Sequence, residues 1–221
     1  TVKAVLPAYM RSHVIARTGA AEYRDLLNTS LNLFLDTITA KDLFEFKPYH
    51  KAIREPTDLY AWGNDFFRPL VKFRNSMIVG LEHVAEIRRF IQAGENVMLL
   101  ANHQTEVDPQ VLSLLLEQEG TEELGENCFF VAGHKVTTDP VAVPFSMGRN
   151  LLTIVSKKYL DGFPPAEKEA KAARNQETVG EMRRLFKEGG NLFWVRFCME
   201  SGCLHGGGCV RVTCWRLWWC A

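Results

Sequence analysis

A histidine and an aspartate five residues apart, His103 and Asp108, sit in the stretch Asn102-His103-Gln104-Thr105-Glu106-Val107-Asp108-Pro109, directly after the apolar run Val97-Met98-Leu99-Leu100-Ala101. Histidine exchanges a proton near neutrality, and a carboxylate on its second ring nitrogen fixes the tautomer and raises its basicity. The pair therefore reads as a general base with its orienting acid, the apparatus of acyl transfer. On a regular helix five residues turn the side chain by about 500°, which would part the two groups. His103 must then end the strand while Asp108 starts the following helix, with 104–107 folding one toward the other. No Gly-x-Ser-x-Gly elbow occurs and no cysteine has an evident base, so the nucleophile would be a hydroxyl of the substrate. The same spacing also fits an N-capping Asp108 beside a loop histidine.

The elements that must hold this pair are legible as periods. Leu26, Leu27, Leu31, Phe34, Leu35 and Ile38 recur at helical spacing between Ala21 and Ile38, predicting one amphipathic helix with a buried face. From Pro48 to Leu70 three prolines, one glycine and several aromatics predict short helices and turns. Leu81 to Ala93 predicts a helix stopped by Gly94, ahead of a buried strand over Val97–Ala101. Asp108 is expected to cap, and Pro109 to open, the Leu-rich helix that follows. Cys128–Ala132, Leu151–Val155 and Asn191–Val195 read as further strands, and Ala166–Lys187 as a long polar helix ended by Gly189-Gly190. The fold class expected is α/β, a mixed sheet flanked by helices and preceded by a small helical unit. The divisions are 1–75 for the helical unit, 76–195 for an incomplete α/β domain, and 196–221 for a divergent tail.

Lys+Arg and Asp+Glu are both 26 in 221 residues, so no net field steers nucleic acid, and an anionic ligand would need a local cluster of cations. No nucleic-acid partner and no transmembrane segment are expected, since no apolar run approaches the ~18 residues needed to span a bilayer. The opening Thr1-Val2-Lys3 lacks a secretory pattern, and the reading is a soluble chain that begins part-way into its parent. Cys198, Cys203, Cys209, Cys214 and Cys220 and four of the five tryptophans crowd the end of the chain, without a Cys-x2-Cys pair. A zinc site or disulfide knot is one reading of this tail; translated sequence from another frame or a retained intron, without strand or helix period, is the other.

The stretch 102–109 resembles the soluble, plastid-type glycerol-3-phosphate acyltransferases of plants and algae. The likeness extends through Pro48-Tyr49-His50-Lys51-Ala52-Ile53-Arg54-Glu55-Pro56, Arg68-Pro69-Leu70, Val131-Ala132-Gly133, Asp139-Pro140, Pro144-Phe145-Ser146-Met147-Gly148-Arg149-Asn150 and Ser156-Lys157-Lys158, over about residues 21 to 195. It implies a helical bundle ahead of an acyltransferase domain in the plastid stroma, moving a fatty acyl group from acyl carrier protein or acyl-CoA to the 1-hydroxyl of glycerol 3-phosphate. No metal or redox cofactor is implied. His103 would act as base and Asp108 as its orienting partner.

The substrate's phosphate requires cations, and by resemblance Lys158 is the first candidate. The family has histidine after that lysine, whereas Tyr159 stands here and brings a hydrogen bond without a charge. Lys157 and Arg149 are the remaining candidates. After Val195 the family runs into an arginine-bearing phosphate loop, and this chain instead enters its divergent tail, so half of the acceptor site and the covering strands are expected to be missing. Two other readings stand beside this one: a lysophosphatidate acyltransferase, and a non-catalytic truncated form that binds acyl carrier protein or another partner through exposed apolar surface.

Overall fold

A computed structural model describes residues 20–42, 44–101, 105–196 and 212–214. Helix α1, Ala20–Thr39, leads into the two-residue strand β1, Tyr49–His50, and helix α2, Leu59–Phe67, with two single 3-10 turns after it at Arg68–Leu70 and Phe73–Asn75. Then follow α3, Leu81–Gln92; β2, Val97–Ala101; α4, Asp108–Gln118; α5, Glu122–Asn127; and β3, Phe129–Gly133. The chain continues through α6, His134–Thr138; α7, Val143–Met147; β4, Asn150–Ile154; α8, Lys157–Leu160; α9, Pro165–Glu188; β5, Leu192–Arg196; and β6, Val212–Cys214.

These strands form one mixed sheet in the order β1-β4-β3-β5-β2-β6, with β1 antiparallel to β4 and every other pairing parallel. Alternation along the strands divides the core between two faces, because successive strand side chains point to opposite sides. Val97, Leu99 and Ala101 of β2, Phe130 and Ala132 of β3, and Trp194 of β5 join the larger cluster with Val84 and Ile87 of α3 and Leu112 and Leu115 of α4. Phe129, Leu152 and Phe193 turn the other way and are covered by Leu185, Met182 and Phe186 of α9. The expected α/β arrangement is therefore a sheet between helical layers. Parallel strands joined by helices direct their carboxyl ends to one edge, the edge at which such sheets hold ligands.

The stops are where glycine spacing put them. Gly94 and Gly189 both take positive φ, 78° and 72°, and a methyl group on Gly189 would collide with the Gly94 carbonyl, so the two turns lean directly on one another. Between them Asn96 Nδ2 donates to the Phe186 carbonyl at 2.7 Å, and the Asn191 amide donates to Asn96 Oδ1 at 3.2 Å. That clasp sets β2 and β5 in register.

Four details depart from the sequence reading. Asp108 is the first residue of α4 and does not cap it; the cap position is Val107, and the Asp108 carboxylate turns back to accept from the Thr105 amide at 3.0 Å. Leu35 and Ile38, expected on the buried face of α1, are more than half exposed; α1 packs against α2 and α7 through a narrow stripe around Ser30 and Phe34. Tyr49–His50 adds a strand to the sheet from within the segment read as helices and turns. The tail, read as having no strand period, supplies Val212–Cys214, which pairs with β2 along the edge expected to be bare. Among the described residues no helix is long and apolar enough to cross a membrane.

Candidate active site

Asp108 stands where β2 gives way to α4, 8% exposed, at the rim of a cavity of about 290 Å³. The geometry that aims it is local. Its carboxylate takes the Thr105 amide, the Asp108 amide donates to the Thr105 carbonyl at 3.1 Å, and Pro109 starts the helix at a position whose missing N–H costs nothing. Residues 105–107 are thereby folded back onto the start of α4. His103 itself lies outside the described residues.

The cavity wall is mostly apolar, with Phe67, Phe130, Val136, Phe145 and Leu151 among its side chains. Lys135, on α6 just past the carboxyl end of β3, pairs with Glu106 at 3.3 Å at its rim, and Asp139 accepts from the Val141 amide at 2.8 Å. Deeper in the wall lies Arg149, which sequence reasoning proposed as a phosphate ligand. It is 2% exposed: Nη1 donates to Ser113 Oγ at 2.6 Å, Nη2 donates to Asn64 Oδ1, and the guanidinium lies 4.4 Å from the centre of the Tyr60 ring. Burial lowers its pKa to about 10, opposed by Tyr60. It is still a cation at neutral pH, yet all its side-chain hydrogen bonds go to neutral groups. Its place is the joint between α2, α4 and β4, not an open phosphate pocket. Ser113 Oγ in turn donates to the Pro109 carbonyl at 2.9 Å, so the chain Arg149–Ser113–Pro109 braces the first turn of α4 beside Asp108.

The other phosphate candidates are on α8. Lys157 is exposed, Tyr159 is 57% exposed, and neither lines the Asp108 cavity; the side chain of Lys158 lies outside the described residues. The carboxyl ends of β2 and β4 are three strand spacings apart, about 14 Å. A second cavity of about 390 Å³ opens by the end of β4, where His134, Lys171 and Arg174 gather with Thr137 and Thr138. Lys171 is paired with Glu167 at 3.4 Å and Arg174 with Glu45 at 3.5 Å. Burial, and then the Lys171 charge, push the His134 imidazole below its ordinary range.

The profile of the family described as Acyltransferase matches residues 78–210, which takes in β2, the 102–109 stretch, α4 and every later strand up to β5. The chain belongs to the acyltransferase family. Its relatives include proteins named "Glycerol-3-phosphate acyltransferase, chloroplastic" from Arabidopsis thaliana, 37% identical over 83% of this chain, and from Spinacia oleracea, 38% identical over 85%. A third, from Cucurbita moschata and named "Glycerol-3-phosphate acyltransferase ATS12, chloroplastic", is 38% identical over 83%. The chain spans about two fifths of the length of these curated relatives.

In this acyltransferase chain, sequence reading named Asp108, which stands at the cavity rim, and passed over other polar side chains of the cavity wall. Gln110 and Trp194 line it with buried polar atoms, but in the sequence one is an ordinary helix residue and the other merges with an apolar strand. Lys135 carried one available signal, its position just after a strand end.

Proposed function

We propose that this chain is the part of a plastid glycerol-3-phosphate 1-O-acyltransferase that carries the reacting groups, making lysophosphatidate from an acyl carrier protein or CoA thioester and glycerol 3-phosphate. The observation that supports it is the Asp108 carboxylate folded back over 105–107 toward the carboxyl end of β2, beside an apolar cavity suited to a lipophilic donor. In this reading His103 takes the proton of the glycerol 1-hydroxyl as that oxygen bonds to the thioester carbon. The C–S bond then breaks, and the imidazolium returns its proton to the departing thiolate. Asp108 holds the imidazole tautomer and offsets its positive charge. General-base assistance of this kind contributes about 10²–10⁴ in rate.

The phosphate falls to Lys158, with Lys157 and Tyr159 beside it, while Arg149 is sealed in the α2–α4–β4 joint. The reaction needs no metal or redox cofactor. The test is the acceptor: incubated with palmitoyl-CoA or palmitoyl-acyl carrier protein and radiolabelled glycerol 3-phosphate, the chain is expected to yield labelled lysophosphatidate. Acylation of lysophosphatidate in preference, or binding of acyl carrier protein without turnover, would overturn this reading.

A further inference from the structure

The Asp108 cavity has walls of two kinds. Thr105, Glu106 and Asp108 line it with polar groups where β2 gives way to α4, whereas Phe67 at the end of α2, Phe145 on α7 and Leu151 on β4 line it with hydrocarbon. Phe67 and Phe145 are only partly buried, so both present ring surface to this space, and their ring centres lie 4.9 Å apart. A hydrocarbon chain entering from the Asp108 rim gains contact with this aromatic wall and is bounded by it.

The wall is fixed from behind. The Phe145 ring stacks on Trp62 at 4.6 Å and 15°, with Phe34 at 5.8 Å and Phe66 at 5.3 Å. Trp62 is held in turn, because its Nε1 donates to Ser30 Oγ at 3.0 Å and that hydroxyl donates to the Leu26 carbonyl at 2.6 Å. Interiors are close-packed, so a ring wedged among four others does not swing aside unless α1 and α2 move with it. The helical unit thereby reaches into the site through one side chain.

We propose that Phe145, seated beside Phe67, is the stop that sets how much of the donor's acyl chain the cavity holds. The proposal rests on the acyl-donor reading above and deepens it, since it names the residue that decides chain length. A methylene is close in size to a water, whose share of liquid volume is about 30 Å³. The cavity, about 290 Å³, therefore takes about ten carbons, and further carbons gain no contact within it. Removing the Phe145 ring opens space on the order of 100–150 Å³, room for about three to five more. That space is enclosed by Phe34, Trp62 and Phe66, so it extends the apolar cavity and does not lead to solvent.

The test measures binding and needs no turnover. S-alkyl thioethers of CoA lack the acyl carbonyl and cannot be transferred, and the S-hexyl, S-octyl, S-decyl, S-dodecyl and S-tetradecyl compounds form the series for calorimetric titration. With the unaltered chain, affinity should rise about fourfold for each methylene buried, up to S-decyl, and then level. Phe145→Ala should move the levelling to S-tetradecyl and leave S-hexyl affinity near that of the unaltered chain. Ala142→Phe adds a ring to the same cavity and should bring the levelling back to S-octyl or shorter; it decides the matter even where Phe145→Ala fails to fold. Affinity that climbs through S-tetradecyl in the unaltered chain, or a levelling point that neither variant moves, would overturn the stop and leave the acyl-donor reading standing. Affinity that is independent of alkyl length throughout the series, or absent, would overturn both.

Discussion

Gly148 precedes the buried Arg149 and has no side chain for a reason that can be weighed. A methyl group built on it would stand 2.5 Å from the Leu59 carbonyl carbon and 2.8 Å from the Tyr60 amide nitrogen, with the Leu59 oxygen nearer still. All of these are backbone atoms at the start of α2, so no rotamer change relieves the clash. Gly148 has φ −81°, which any residue adopts, so the penalty is steric alone. Overpacking of this kind costs about 1–3 kcal/mol, and a contact with backbone belongs at the upper end. For a chain of this length, about 3 kcal/mol lowers the melting temperature by roughly 6–12 °C. Gly180, on the exposed face of α9, provides the matched control, since a methyl group there meets nothing within 4 Å. Gly180→Ala should stabilise by about 0.5–1 kcal/mol, through helix propensity and reduced chain entropy. Thermal and urea unfolding of both variants, followed by circular dichroism, decides the matter. The reasoning fails if Gly148→Ala melts with the unaltered chain, or if the two variants shift in the same direction. If α2 is displaced, the Asn64 and Tyr60 contacts of Arg149 are displaced with it, and the bracing of α4 behind Asp108 should loosen.

Other outcomes follow from the packing and from the buried imidazole. Phe193 is fully buried between Phe129, 5.4 Å away, and Phe186, 4.7 Å away, so Phe193→Ala should cost about 3–5 kcal/mol by urea unfolding. Thr178 Oγ1 donates to the Thr153 carbonyl at 2.8 Å and fastens α9 to β4; Thr178→Val keeps the shape, and about 1–2 kcal/mol should be lost on the same assay. Burial lowers the His50 pKa below its ordinary 6.5, partly offset by its bond to the Met147 carbonyl, so the folded chain favours the neutral ring. Stability should therefore fall as pH drops below about 6.5 and level off below the folded-state value, and His50→Gln should flatten that part of the melting-temperature profile. An unchanged slope in the variant would remove His50 as its source.

Much of the frame could be read from local pattern because local physics decides it. The 3.6-residue period of α3 and α4, the apolar runs of β2 to β5, and the glycine stops at Gly94 and Gly189 all depend on neighbours in the chain. What escaped depends on distant partners. Nothing near Tyr49 and His50 marks them as a strand; they become one because β4 offers an edge, paired at Tyr49 with Leu152. Arg149 looks like any surface cation until Asn64, Ser113 and Tyr60 close around it. Asp108 has the composition of a cap, but with Pro109 next to it the helix begins one residue earlier and the carboxylate is released to bond backward. Gln110 and Trp194 become notable only when both are seen to border one cavity.

The central claim is that His103 and Asp108 together move an acyl group, and the most direct test is the initial rate of thiol release from palmitoyl-CoA in the presence of glycerol 3-phosphate. The unaltered chain should release thiol only when the acceptor is present, with His103→Ala and Asp108→Asn each slower by about 10²–10⁴. Thiol release by either variant at the unaltered rate, or no acceptor-dependent release from the unaltered chain, would contradict it.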